Sequence, residues 1–373
     1  MPSVNSIRVY REQSGLSQAD LGLRLDVTRQ TIAAWEKGDR EPSVAQLFRI
    51  AQALGIGVDL LLAQPLSDTK DPADAVALAL PSSNGEGLLF RADDPDAIDS
   101  HLRASLAQKS SNYAFVERLV REVPTLPEMR PLEGYDPEFV EEVAHEIRDW
   151  LGSGESNPVG DVLAILESKG LKTILTPLPG AVSGFSAFTE TSGATIFVNA
   201  RHPTERQFFT ALHELAHLIF HRHEYRQPSP KAKRGDPREK VANHFAGAVL
   251  LPQEVIQREL RAYRNRWVPE PLLIDIKQRY RVSMRTVLYR AEQGGLISVK
   301  LKGQQLGQLN KKYGPDSEPG EILPAQHLTR LERLVYLALL REELTTSRAA
   351  EILGKSFADV RHTLSQWLED ADP

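Results

Sequence analysis

Residues 206–221 read RQFFTALHELAHLIFH, and this stretch decides the fold of everything around it. Phe208, Phe209, Leu212, Leu215, Ala216, Leu218, Ile219 and Phe220 make an almost continuously apolar helix, which has to be buried. Within it His213 and His217 lie one turn apart on one face, with Glu214 beside the first. Burying two imidazoles and a carboxylate is costly unless they are paired or bound to metal. Two imidazoles so spaced can share one zinc ion. Glu214 then stands where it can take a proton from zinc-bound water and pass it towards a leaving amine.

A five-residue pattern needs a third ligand. After the polar, basic loop RQPSPKAKRGDP, the segment REKVANHFAGAVLLP predicts a second helix with Val241, Phe245 and Val249 as its inner stripe. Glu239 stands near its start, 22 residues after His217, and two antiparallel helices can bring it under the metal. Asn243, one turn further on, shares that face and can hydrogen-bond to His213 behind the ligand. His221, His223 and His244 compete for the third place. His221 lies about 12 Å of helical rise beyond His213, so it would need a break in the helix, and His223 would need the helix to end early. Three protein ligands leave a fourth position for water, the arrangement of a catalytic rather than a structural site.

Upstream, residues 183–200 predict a strand pair around Ser192-Gly193, and GDVLAILESKGLKTILTPLP predicts helix, Gly stop and strand. DPEFVEEVAHEIRDWLG reads as a helix with Phe139, Val143, Ile147 and Trp150 inward, and residues 94–122 read as helical. The Pro-, Asp-, Ser- and Ala-rich run from 65 to about 87, with one short helix at DAVALALP, marks a linker extending to residue 93. Isolated His101 and His145 read as surface or packed histidines.

The first sixty residues read as five short helices, the last around Val58–Leu62. Ser17 caps the second, Leu21 and Leu25 share its inner face, and the turn at Asp26-Val27 leads into TRQTIAAWEKG. There Ile32 and Trp35 point inward, while Thr28, Arg29, Gln30 and Thr31 form an exposed leading end suited to the major groove. SQADLGLRLDVTRQTIAAWEKGDREPS resembles the XRE (Cro/C1-type) helix-turn-helix family over roughly residues 4–63. The resemblance implies that Gln18, Thr28, Arg29, Gln30 and Thr31 face a double-stranded DNA operator, usually as a homodimer.

HELAHLIFH followed by EKVANHFAGAVLLP resembles the ImmA/IrrE family of zinc peptidases over roughly residues 140–300, with FSAF and ATIFVN matching its edge strands. The resemblance implies an α+β, gluzincin-like domain with zinc held by His213, His217 and Glu239 and with Glu214 as general base. It also implies a helix-turn-helix repressor as substrate, cut to derepress stress-response or mobile-element genes. Two further readings stand beside it: a regulator whose metallopeptidase-like domain senses a ligand or partner without cutting, and a component of a toxin–antitoxin pair.

Beyond the motifs, PLLIDIKQRYRVSMRTVLYRAEQGGLI predicts helix, turn at Arg281-Val282-Ser283, and helix, read as packing against the core rather than touching DNA. KLKGQQLGQLNKKYGPDSEPG is polar and Gly-containing, a loop or short helix. Residues 327–370 form a small terminal bundle with a cap at Thr346-Ser347 and a turn at Gly354-Lys355-Ser356. The expected organisation is therefore multidomain: an all-α helix-turn-helix bundle (1–64), a linker (65–93), a metallopeptidase domain (94–300) and a mainly helical C-terminal region (301–373).

Composition agrees with a cytoplasmic enzyme or regulator. The 373 residues are 41% hydrophobic and 25% charged, with no Cys and no apolar run long enough to span a membrane. Any metal ligands must then be His, Asp or Glu. The formal net charge of -5 offers no overall attraction to nucleic acid, so DNA contact must come from a local surface.

Overall fold

The computed structural model describes residues 6–13, 16–40, 42–54, 89–92, 100–122, 125–180, 182–189, 192–223, 235–324 and 328–369. The fifth N-terminal helix, the DAVALALP helix and most of the basic loop after residue 223 lie outside these residues. The chain divides into two compact units, one of residues 1–87, 105–122 and 331–373, the other of residues 88–104 and 123–330.

The first unit opens with α1 (Ser6–Gln13), α2 (Gln18–Leu25), α3 (Arg29–Lys37) and α4 (Val44–Leu54). Ser17 and Asp20 close a reciprocal capping box on α2, which ends at Asp26 in the left-handed conformation. Thr28 caps α3 by accepting from the Thr31 N–H, and Gly38 ends it. Ile7, Tyr10, Leu21, Leu25, Ile32, Trp35, Leu47 and Ile50 fill the core between the four helices. Gly22 allows α2 and α3 to meet, since a Cβ there would lie 2.8 Å from the Val27 carbonyl oxygen.

The second unit is built on a four-stranded sheet of β1 (Leu89–Ala92), β2 (Lys172–Thr176), β3 (Gly184–Thr189) and β4 (Gly193–Asn199), in the order β1-β3-β4-β2. β3 and β4 form the expected antiparallel pair, and β2 runs parallel to β4. Two expectations need correction. Residues 89–92, read as linker, pair antiparallel with β3. FSAF and ATIFVN are consequently interior strands rather than edges, because β1 and β2 cover their outer sides.

α5 (Ser100–Leu119) comes next in the chain, its residues from 105 on in the first unit, and the second unit then adds α6 (Pro137–Leu151), α7 (Val162–Ser168), α8 (Thr204–Phe220), α9 (Pro237–Leu250), α10 (Gln253–Glu259), α11 (Glu270–Tyr280), α12 (Met284–Gln293) and α13 (Val299–Tyr313). α8 packs beneath β3 and β4 and alongside α9, which in turn packs on α6. The approach of α8 to the sheet is close at Gly184, where a Cβ would collide with the Thr210 side chain of α8 and lie 2.6 Å from the Phe197 carbonyl oxygen of β4. On α6 the buried face is Val140, Val143, Ala144, Ile147 and Leu151, so Phe139 and Trp150 sit at its margins.

α13 replaces the expected loop or short helix. Its polar sequence still buries Gln305 and Leu309, and Gln305 donates to the Val268 carbonyl at 2.9 Å. Lys302–Glu292 and Lys312–Glu270 ion pairs tie its polar sides down. The helix-turn-helix-like pair α11–α12 buries Met284, Val287, Leu288 and Ala291, in keeping with the packing role expected for it.

The first unit resumes with α14 (Arg330–Leu340), α15 (Thr346–Leu353) and α16 (Phe357–Glu369), beside residues 105–119 of α5. The cap of α15 is Thr345, one residue before the expected pair, because its hydroxyl reaches the Arg348 N–H. Arg348 then donates to Asn112 on α5 at 2.9 Å and lies over the Phe115 ring.

Candidate metal centre and reading helix

The buried centre begins where β4 delivers the chain into α8. Gln207 donates to the His202 carbonyl at 2.7 Å and fixes the first turn. From Phe208 to Phe220 nearly every side chain is buried, so the polar residues of the helix have only each other and neighbouring elements to meet. His213 and His217 turn their Nε2 atoms to within 3.2 Å of each other, with rings nearly perpendicular.

α9 supplies the third group. Asp236 caps the helix through the Arg238 N–H, with Pro237 in its first turn, and this places Glu239 one residue later against the histidines. Glu239 Oε2 lies 3.2 Å from His213 Nε2, and Oε1 lies 3.5 Å from His217 Nε2. Burial alone would raise the Glu239 pKa, but its hydrogen bonds to His213 and His217 outweigh that and hold it well below the usual carboxylate range. These three residues form a group that could hold a metal ion.

The far side of each imidazole is engaged as well. His213 Nδ1 lies 3.2 Å from Asn243 Oδ1, the pairing anticipated from their shared helix face. His217 Nδ1 lies 3.1 Å from His221 Nδ1. His221, a rival ligand by sequence, is instead the partner that meets His217 from the end of α8. The same i, i+4 spacing that links His213 to His217 links His217 to His221, so the signal was present in the sequence.

Glu214 is buried, and the Ser186 hydroxyl donates to its Oε2 at 2.6 Å. Ser186 was not singled out from sequence, because only the register of β3 over α8 brings the two together. His244 is removed from competition by its own partners: Nε2 meets Glu141 at 2.6 Å and Nδ1 meets the Tyr135 hydroxyl at 2.9 Å. Its neighbour Glu141 also accepts from Arg290 at 2.6 Å. His223 follows the end of α8 and is exposed. A cavity of about 490 Å³ reaches Asn243 from the far side, walled by Phe209, Gly247, Thr286, Tyr289 and Arg290.

In the N-terminal module the leading end of α3 is exposed at Thr28, Arg29 and Gln30 and half-buried at Thr31. The Thr28 and Thr31 hydroxyls lie 2.9 Å apart. Gln18 is turned inward, donating to Glu36 Oε2 at 2.8 Å. Glu36 is itself buried against Arg11.

Comparison with known proteins finds matches for two parts of the chain. Residues 166–292 match the IrrE N-terminal-like domain, a peptidase family, and residues 7–61 match the helix-turn-helix family. The N-terminal part is similar to an uncharacterized HTH-type transcriptional regulator of Methanothermobacter thermautotrophicus, 53% identical over 49 residues, 13% of this chain and 71% of the relative. An uncharacterized HTH-type transcriptional regulator of Methanocaldococcus jannaschii is 42% identical over 55 residues, 15% of this chain and 83% of the relative. Its counterpart YgzD of Bacillus subtilis is 40% identical over the same lengths and shares. Among the described residues no helix is long and apolar enough to cross a membrane.

Proposed function

We propose that this chain, which belongs to the HTH-type regulators and carries an IrrE-like peptidase-family domain fused behind its helix-turn-helix module, is a zinc-dependent endopeptidase that cuts a repressor or partner protein. The observation that carries the reading is the triangle of donor atoms on His213, His217 and Glu239. Tetrahedral zinc with bonds of about 2.0–2.1 Å separates neighbouring donors by roughly 3.3–3.4 Å. Here the two Nε2 atoms are 3.2 Å apart, and the Glu239 carboxylate sets Oε2 3.2 Å from His213 Nε2 and Oε1 3.5 Å from His217 Nε2, spacings of the same size. Two imidazoles and one carboxylate are also the donor types that zinc takes in hydrolytic sites.

When bound, zinc would supply Lewis acidity and make water acidic enough to lose a proton near neutral pH. Glu214, next to His213 on the helix and held by the Ser186 hydroxyl, takes that proton and returns it to the leaving amine. Asn243 and His221 keep the two imidazoles turned so that their Nε2 atoms face each other and Glu239, the side on which zinc would be held. In this reading residues 1–64 bind a DNA operator as a dimer through Gln18, Thr28, Arg29, Gln30 and Thr31. Residues 94–300 cut, in the cytoplasm, in a stress response or in mobile-element control.

The test compares cells carrying the native chain with cells carrying Glu214→Gln. Specific cleavage products of a regulator should accumulate only with the native chain, while zinc and DNA binding persist in both. Normal regulation by the Glu214→Gln chain would sink the enzyme reading. It would favour the alternative, a non-cleaving sensor, for which the cavity reaching Asn243 offers a ligand site.

A further inference from the structure

One turn is built three times in this chain. Asp26, Arg281 and Gly354 each end a helix in the left-handed conformation, at φ 57°, 55° and 63°. One residue later, the N–H groups of Val27, Val282 and Lys355 reach back to the carbonyls of Gly22, Lys277 and Ala350 at 2.9, 3.3 and 3.0 Å. One residue later again, the hydroxyls of Thr28, Ser283 and Ser356 accept from the N–H groups of Thr31, Thr286 and Asp359 at 3.2, 2.9 and 3.1 Å. The core positions correspond too. Leu21, Ile276 and Ala349 lie five residues before the left-handed residue, Ile32, Val287 and Val360 six after it, all at 0% exposure.

The first of these turns belongs to the module that matches the helix-turn-helix family. The second, between α11 and α12, is closed to an anion. Glu318 already accepts from the Met284 and Arg285 N–H groups at 2.6 and 3.2 Å, where a DNA phosphate would otherwise dock. The third, between α15 and α16, is open. Phe357, Ala358, Asp359, Arg361, His362 and Ser365 are all exposed, and only Val360 of the leading turns is buried.

Charge distinguishes the exposed face further. Asp359 is turned back to the Ser356 hydroxyl at 2.7 Å, which draws its carboxylate to the cap. Arg361 lies over the Phe357 ring and meets no carboxylate among the described residues. Residues 328–369 carry six basic and six acidic side chains, against seven and six in residues 6–54, so both helix groups are close to neutral. Both fall within the same compact unit.

We infer that α15 and α16 form a second helix-turn-helix that docks on duplex DNA, with Arg361 and His362 of α16 facing base edges; Lys355, 2.6 Å from Glu332, and Ser356, which donates to Asp359, are already engaged within the module. α16, 13 residues long, extends about 20 Å, enough to lie along a major groove. A chain with two readers binds a DNA site that spans both more tightly than either alone, because the second contact is intramolecular.

The test uses the full chain and a random-sequence duplex library of about 40 base pairs, enough for sites of both readers one or more helical turns apart. The native chain, Arg361→Ala/His362→Ala and Arg29→Ala/Gln30→Ala are compared on the duplexes the native chain selects. The Arg361→Ala/His362→Ala chain should bind about tenfold or more weakly, protect a shorter footprint and show a shallower salt dependence. The Arg29→Ala/Gln30→Ala chain should retain salt-dependent binding that disappears when both pairs are replaced. All the replaced side chains are exposed or at a helix surface, and an unchanged Tm confirms folding. Asp359→Asn, which removes negative charge from the same face, should tighten binding. Unchanged affinity, footprint and salt slope in Arg361→Ala/His362→Ala would overturn the inference. So would a change in oligomeric state without a change in DNA affinity, because α16 would then be a protein contact.

Discussion

The Ser186 hydroxyl donates to Glu214 at 2.6 Å from a strand that sits 28 residues earlier in the chain, and both side chains are buried. A buried carboxylate with a fixed donor on one oxygen presents the other in one direction. Replacing Ser186 with Ala removes a charge-assisted bond of about 1.5–3 kcal/mol. If Glu214 is the general base, peptide cleavage should slow by roughly 10- to 100-fold in kcat with zinc content and KM unchanged. Ser186→Thr, which restores a hydroxyl, should recover part of the rate. A purely structural hydroxyl would lower Tm in both variants and leave kcat alone.

His221 and Asn243 meet the Nδ1 atoms of His217 and His213, on the side of each ring away from Glu239. Replacing either with Ala should weaken zinc binding by about 10- to 100-fold, the usual effect of losing a partner behind a ligand. Competition with a chelating dye measures it. Equal retention of zinc by the native and substituted chains would show that the ligands orient themselves without help.

How much of this was legible in the sequence depended on the range of the signal. His213, His217, Glu239 and Asn243 are linked by one-turn spacings within two helices, and such spacings survive any tertiary arrangement. The helix-turn-helix was legible for the same reason, its cap and turn being local. β1 was not. Its four residues carry no alternating pattern strong enough to separate them from a linker, and only pairing with β3, some 95 residues away, makes them a strand. Ser186 belongs to the same class, since its partner is set by how the sheet lies on α8. α13 was legible only as a loop or short helix because local propensity is weak at Gly303 and Gly307, and its stability comes from Gln305, Leu309 and ion pairs to distant helices.

Glu141 makes the second unit sensitive to acid. Burial alone would raise its pKa, but the hydrogen bonds with His244 and Arg290 more than offset that and lower it from 4.5 to about 2. A carboxylate depressed in the folded state contributes stability that is fully present above its unfolded pKa. That contribution is lost as pH falls through the folded value. Thermal unfolding followed from pH 5 to pH 2 should therefore show a loss of stability that Glu141→Gln lacks, because the amide has no proton to gain. An identical pH dependence in the two chains would place the acid sensitivity elsewhere.

The N-terminal module rests on a buried ion pair. Arg11 and Glu36 are 7% and 6% exposed, Arg11 also donates to the Leu16 carbonyl at 2.7 Å, and Gln18 joins from the start of α2. Glu36→Ala would strand the Arg11 guanidinium away from water, at a cost of about 3–5 kcal/mol. Such a loss is a large part of the stability of so small a domain, so operator binding should be lost together with the native fold of α1–α4. Replacing both partners by apolar residues, as in Arg11→Met/Glu36→Met, removes the stranded charge and should restore much of the stability. DNA affinity then reports what Gln18 does once its anchor is gone. If the double variant folds and binds as the native chain does, the pair serves stability alone; if it folds but binds weakly, Glu36 also holds Gln18 in position for the backbone.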